Sequence, residues 1–135
     1  MRKSAILLCV SLVFLASNAS AEGVAKYDEA KRCVSAGLVN VILFEVNKAS
    51  KNPSANPQLF AGGVPEGWPA EIVKHYLKVM GAEGARVGNT TEATLADFDE
   101  LRANLGRELR AMNDDELAAR WLEDMEAGLE CREAI

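Results

Sequence analysis

Three cysteines and one histidine are the residues of this 135-residue chain whose side chains most often carry covalent or metal chemistry. The cysteines are Cys9, Cys33 and Cys131, and no two of them form the Cys-x-x-Cys spacing that lowers a thiol pKa for redox work. A zinc site would need several more ligands than His75 supplies. The absence of Cys-x-x-Cys-His also excludes covalently attached haem. The sequence therefore predicts no metal site and no cofactor.

Serine and carboxylate chemistry lacks a motif as well. His75 follows Glu71 by four residues, which is typical of a surface pair on one helix face. No serine lies in a strand-turn-helix elbow, so nucleophilic catalysis has no candidate. Arginines interleave the densest carboxylates, which favours surface ion pairs over a desolvated general acid. These carboxylates are Asp97, Asp99, Glu100, Glu123, Asp124 and Glu126. We therefore expect no catalytic residue and no enzyme.

The first 21 residues have the organisation of a secretory signal. Two basic residues precede an apolar run over 5–16, and a small-residue cleavage site follows at 19–21. The apolar run is too short to span a bilayer. We expect cleavage before Glu22, an exported mature domain of residues 22–135 that is periplasmic or secreted, and no stable membrane insertion.

The predicted signal determines which cysteines remain in the mature chain. Cys9 lies within the apolar run and is removed with it, so the mature chain keeps Cys33 and Cys131. Two cysteines in an oxidising compartment predict one disulfide. This bridge would close nearly the whole mature chain, for which loop-closure entropy gives a stabilisation of roughly 4 to 5 kcal/mol.

The expected mature chain is acidic. Without Arg2 and Lys3, the 15 basic residues become 13 against 20 acidic residues, a formal charge of −7. Such a charge disfavours nucleic acid as a partner, because phosphate binding requires a basic surface. The acids alternate with basic residues through the second half of the chain, as they do on solvated helix faces.

Apolar residues recur at helical spacing in four segments. The first helix is predicted from Val24 to about Lys48, the second from Pro69 to a stop at Gly81, the third from Thr91 or Thr94 to about Met112, and the fourth after Asn113. A Gly-rich linker is expected over 82–89. No alternating run is long enough to predict a strand. The predicted fold class is all-α, a single-domain bundle of about four helices with a long Pro/Gly-rich loop after the first.

Particular residues predict how these helices meet. Gly37 lies inside the first helix, where it costs helix stability, so we expect another backbone to cross closely there. Asn113 followed by Glu116 indicates a capping box. A bridge between Cys33 and Cys131 requires the start of the first helix to meet the end of the last, so these two helices should be antiparallel. The expected core stripes include Leu38, Ile42, Leu95, Phe98, Leu101, Leu105, Leu109, Leu117, Trp121, Met125 and Leu129.

The segment 52–69 contains all four prolines of the chain together with large apolar side chains. Leu59, Phe60 and Trp68 make it too apolar for a solvated linker. Two interpretations are open. These residues form a contact loop for a partner, or they fold back and cover the open end of the bundle.

Elimination leaves binding as the predicted function. A binding module needs only a stable shape and an exposed patch, so we expect a protein-binding module whose unknown protein partner lies in the cell envelope; inhibitors and toxin-neutralising proteins fit by size and compartment. The alternative is a carrier of a small apolar ligand, which would need a cavity lined by Phe44, Tyr76, Phe98 and Met125. Glycosylation of the sequon at Asn89 depends on the host. The oligomeric state is left open.

Overall fold

The computed structural model of the chain describes residues 2–49, 65 and 67–135, with side chains from residue 21 onward. These residues form four α-helices and no strand. The helices are α1 (Arg2–Ala49), α2 (Trp68–Arg86), α3 (Thr91–Arg110) and α4 (Asp114–Glu133). The all-α prediction with four helices is confirmed.

Helix α1 is the centre of the fold, because α2, α3 and α4 all pack against it. The prediction that it begins near Val24 is wrong, since the helix starts at Arg2. No proline interrupts residues 2–23, and the apolar run is rich in leucine and alanine, which are strong helix formers. Within the described part of the chain, no helix carries an apolar stretch long enough to cross a membrane.

The close crossing expected at Gly37 is confirmed. A Cβ atom on Gly37 would lie 2.7 Å from Val73 Cγ2 and 3.1 Å from the carbonyl oxygen of Pro69. The backbone of α2 therefore passes directly over this glycine. The close approach explains why a residue with poor helix propensity occupies the middle of α1.

Helix α2 is longer than the sequence pattern predicts. The expected stop at Gly81 is wrong, because the helix continues through Gly81 to Arg86. Of the linker expected over 82–89, only residues 87–89 lie between the two helices. The chain turns instead at Gly88, whose φ of +87° lies in the left-handed region that favours glycine.

Side-chain caps define the starts of the last two helices. Thr90 Oγ1 accepts a hydrogen bond from the backbone N–H of Ala93 at 3.1 Å, which places the start of α3 at Thr91. Asn113 Oδ1 accepts from the N–H of Glu116 at 2.9 Å, and the Glu116 carboxylate accepts from the N–H of Asn113 at 3.3 Å. The predicted capping box before α4 is therefore confirmed.

The predicted disulfide is confirmed. Cys33 and Cys131 are bonded, with their Cα atoms 5.8 Å apart, and both side chains are buried. Cys131 lies within α4 rather than just beyond it. The bridge joins α1 to the last turns of α4.

The core has two apolar clusters. The first holds the disulfide and the inward face of α2: Tyr27, Ala30, Cys33, Val34, Trp68, Ile72, Tyr76, Met80 and Cys131. The second lies further along α1 and joins α3: Val39, Leu43, Leu105 and Leu109, with Trp121 of α4 packed against it. Burial of these side chains is the main stabilising contribution to the fold.

Leu95 departs from its expected place in the core. Its side chain is 56% exposed, whereas that of the preceding Thr94 is buried. A Cβ on Gly84 would lie 2.7 Å from Thr94 Oγ1, so α3 meets α2 through Thr94. One residue further along a helix is rotated by about 100°. Leu95 therefore points away from that contact.

Candidate functional site: a groove between α2 and α3

Trp68, one of the three candidate contact residues, lies in the core. It is the first residue of α2 and its side chain is 1% exposed. A Cβ on Gly128 would lie 2.8 Å from Trp68 Cζ3, so the indole ring packs directly on α4. An anchor for a partner must be accessible, which Trp68 is not. Leu59 and Phe60 lie outside the described residues, and their role as contacts stays a prediction.

The four side chains that the carrier alternative places around one cavity lie in different surroundings. Tyr76 is buried and its hydroxyl donates to the carbonyl oxygen of Cys131 at 2.7 Å. Met125 packs against the first core cluster. Phe44 lines a groove between α1 and the start of α2, and Phe98 lines another between α2 and α3.

Glu29 and the two bonded cysteines form the group of described residues whose geometry is nearest to a metal site. Both sulfur atoms are committed to the disulfide, so neither is a thiolate ligand. The guanidinium of Arg32 donates to Glu29 at 2.8 and 3.0 Å and holds the pKa of that carboxyl below its ordinary value. These three residues therefore stabilise the fold and do not form a metal-binding site.

One arginine holds a carboxylate of α3 and a carboxylate of α4. Arg120 donates to both Glu108 and Asp124, which ties α3 to α4. Burial raises the pKa of Asp124, and the hydrogen bond from Arg120 opposes that rise. His75 is half-buried, with its ring edge-on to Tyr76.

A groove of about 310 Å³ opens between α2 and α3. Its walls are mainly apolar, with hydroxyl and amide groups at the end where α3 begins. The lining residues are Leu77, Gly81, Ala85, Asn89, Thr90, Thr91, Thr94, Leu95 and Phe98. Pockets of roughly this size and polarity hold small ligands or single anchoring side chains of a partner.

Gly81 forms a low point in the wall that α2 contributes. Nothing lies within 4 Å of the position that its Cβ would occupy. The neighbouring groove residues on α2, Leu77 and Ala85, lie four residues to either side and so share its helix face. Packing within the chain requires a glycine at Gly37, Gly84 and Gly128, where a Cβ would come within 2.8 Å of another atom, but not at Gly81.

A hydrogen-bonded contact holds the other side of α3 against α1. The hydroxyl of Tyr27 donates to Asp97 Oδ2 at 2.5 Å. Burial is the larger cause and this hydrogen bond the second; together they raise the pKa of Tyr27 to about 12. This hydrogen bond holds the first turns of α3 against α1. It therefore fixes the position of the groove wall that carries Leu95 and Phe98.

Basic residues lie next to the part of the groove that Leu77 and Phe98 line. Lys74 and Lys78 precede Leu77 and Gly81 by three residues each, so helical spacing places them on the same side of α2, although neither lines the groove itself. Neither lysine has an ion-pair partner among the described residues. On α3, Arg102 lies over the ring of Phe98 at 5.9 Å and pairs with Asp99 at 3.5 Å.

The sequence did not reveal this groove. The sequence pattern predicts a helix end at Gly81 and a core position for Leu95, so it gives ordinary structural roles to the two residues that shape this surface. A glycine in an otherwise regular helical stripe was the one available signal. Comparison of the chain with protein-family models, curated proteins and solved structures gave no match. The function is therefore inferred from the geometry of the groove.

Proposed function

We propose that the protein is an exported, non-enzymatic binding module of the cell envelope and that it binds another protein through the groove between α2 and α3. The observation that carries this proposal is an open apolar groove of about 310 Å³ bordered by Leu95, whose side chain is 56% exposed. A contiguous apolar surface that includes an open groove is typical of a site that is covered by a partner, whereas a single exposed apolar side chain is not. Inhibitors and toxin-neutralising proteins are the classes of envelope protein that fit.

The scaffold favours recognition by a preformed surface. The disulfide ties α4 to α1, the crossing at Gly37 ties α2 to α1, and the hydrogen bond from Tyr27 to Asp97 ties α3 to α1. Both walls of the groove are therefore attached to the same central helix. Binding to such a surface loses little conformational entropy, which raises affinity for a given contact area.

Site-specific photo-crosslinking tests the proposal, because the chain offers a matched control. Leu95 and Leu122 are both leucines on helix surfaces, with exposed fractions of 56% and 55%, but only Leu95 borders the groove. A photoreactive amino acid at position 95, in the full chain expressed in its own host, should give one discrete adduct with an envelope protein. Position 122 should not give that adduct.

The substitution Leu95→Glu, made in a chain that carries the photoreactive group at position 91, should abolish the same adduct, while Leu122→Glu should leave it intact. Thr91 lines the groove and is exposed, so it reports on the same surface. Equal adducts from positions 95 and 122, or no adduct from position 95, would contradict the proposal.

A further inference from the structure

We infer that the segment of the partner held in this groove is an acidic amphipathic helix, an inference that rests on the proposed function. It follows from three properties of the groove: its shape between two helices, the glycine in its wall, and the sign of the charge at its end. Each property is carried by described residues.

The shape of the groove suits a helix. Its walls are two consecutive helices joined by a short turn at residues 87–90, and the lining extends along α2 from Leu77 to Ala85 and along α3 from Thr91 to Phe98. That length is about two turns of each helix. A third helix laid over two others places its apolar residues at spacings of three and four into the space between them.

Gly81 accounts for the depth of the groove. A glycine inside a helix lowers the stability of that helix, and no contact within the described chain requires one at this position. Its missing side chain leaves open space between Leu77 and Ala85, in the direction of Leu95 and Phe98. An aliphatic side chain of a partner fits this space. The backbone of the partner can also approach α2 closely there.

The charge at the end of the groove selects an acidic partner. Lys74 and Lys78 extend from the groove side of α2 without an ion-pair partner among the described residues, and Arg102 lies one turn beyond Phe98. Asp99 pairs with Arg102 and Glu83 pairs with Arg86, whereas no acid among the described residues pairs with Lys74 or Lys78, so positive charge is in excess beside this part of the groove. Carboxylates on the flank of a docked helix would meet these cations.

This preference is the reverse of what the whole molecule would favour. The chain has a formal charge of −5, and −7 without the expected signal. Non-specific attraction would therefore select a basic ligand. A preference for an acidic helix must come from the local charge at the groove, which makes the sign of the charge a sharp test.

Two synthetic peptides provide the probes. Both are 18-residue amphipathic helices with the same leucine face, and their polar positions carry glutamate in one peptide and lysine in the other. Each is titrated into the isotopically labelled, disulfide-bonded protein while backbone amide shifts are recorded. The glutamate peptide should shift the amides of residues 74–85 and 91–102, and the lysine peptide should bind there at least tenfold more weakly.

Three variants locate the effect. The double substitution Lys74→Glu with Lys78→Glu should weaken the glutamate peptide at least tenfold, and Gly81→Leu, which fills the low point, should do the same. The double substitution Arg107→Glu with Arg110→Glu changes the net charge equally on exposed residues of α3 that do not line the groove, and it should leave the affinity unchanged.

The inference is overturned if the lysine peptide binds more tightly, if neither peptide shifts the groove amides, or if the charge reversal on α2 has no effect. Such a result combined with the specific adduct from position 95 would show that the groove binds a protein of another kind, and the proposed function would stand. Peptide binding without that adduct would instead contradict the proposed function and leave the chemistry of the groove intact.

Discussion

Gly81 and Gly106 are the two helix-interior glycines of the described chain whose missing Cβ has room. Nothing lies within 4 Å of a Cβ on Gly81, and a Cβ on Gly106 would meet only the far end of the Arg110 side chain at 3.4 Å. Alanine at either site should therefore raise the free energy of unfolding by roughly 0.5 to 1 kcal/mol. Urea denaturation measures both values.

Gly128→Ala is the contrasting variant, because its Cβ would lie 2.8 Å from the ring of Trp68. It should lower the free energy of unfolding. If Gly81→Ala were destabilising as well, the groove would be filled by part of the chain itself, and the surface described above would not exist.

Tyr27 makes a prediction about alkaline pH. Burial and the hydrogen bond to Asp97 raise its pKa from the ordinary value of 10.0 to about 12, so the folded state holds the phenolic proton more tightly than the unfolded state. The resulting stabilisation is complete below pH 10 and is lost as the pH rises from 10 to 12. Urea midpoints of wild type and Tyr27→Phe should therefore converge over this range. A constant difference between the two proteins would contradict the assignment.

For individual residues, the sequence predicted the disulfide pairing but not the exposure of Leu95. Cys33 and Cys131 could be paired because the expected removal of Cys9 with the signal leaves one possible pairing. Leu95 could not be placed, since a helical stripe states which residues share a face but not how far a neighbouring helix covers that face. Thr94 makes the contact with Gly84, and that choice depends on the crossing of α2 and α3.

At the scale of elements, the four helices were predictable and two of their boundaries were not. Asn113 with Glu116 located the start of α4, because a capping box satisfies backbone groups through specific side chains. The sequence pattern predicts that α2 ends at Gly81, but the packing of Met80 and the burial of Gly84 beyond it outweigh the small helix penalty of a glycine. The groove lies between the misassigned residues, which is why the sequence did not predict it.

Trp68 tests how α2 is attached to the rest of the fold. Its ring is buried against Gly128 of α4 at the point where α2 begins. Trp68→Ala should cost roughly 3 to 5 kcal/mol of the free energy of unfolding, the range for a buried aromatic side chain. The exposed Val46→Ala is the control and should change it by less than about 0.5 kcal/mol. A neutral Trp68→Ala that weakened partner binding would restore its role as a contact residue.

At the scale of the whole molecule, the proposed export makes a direct prediction. Cleavage before Glu22 would fall inside α1 and leave Glu22 as the first residue of the mature helix. Expression of the full chain in a bacterium should yield a periplasmic protein whose N-terminal sequencing begins Glu-Gly-Val. Protein that keeps Met1 and stays in the cytoplasm would contradict the signal assignment. Blocking the site with Ala21→Pro should retain the precursor.

The Cys33–Cys131 bridge is expected to make a large contribution to stability. It joins residues separated by 98 positions, and for a loop of about 100 residues the entropic model gives about 4.7 kcal/mol. Since stabilities of small domains are typically about 5 to 15 kcal/mol, reduction should lower the thermal midpoint by well over 10 °C. Calorimetry with and without a phosphine reductant measures the shift, and thiol titration in denaturant should find no free thiol in the mature protein before reduction.

Reduction also separates stability from recognition. The bridge joins α1 to α4, whereas every residue that lines the groove belongs to α2, α3 or the turn between them. Below its new midpoint, the reduced protein should therefore bind the glutamate peptide with unchanged affinity per folded molecule. Cys33→Ala with Cys131→Ala should behave in the same way without any reductant. A loss of affinity while α2 and α3 stay folded would show that the position of α4 shapes the groove, and the binding surface would then extend across the bridge.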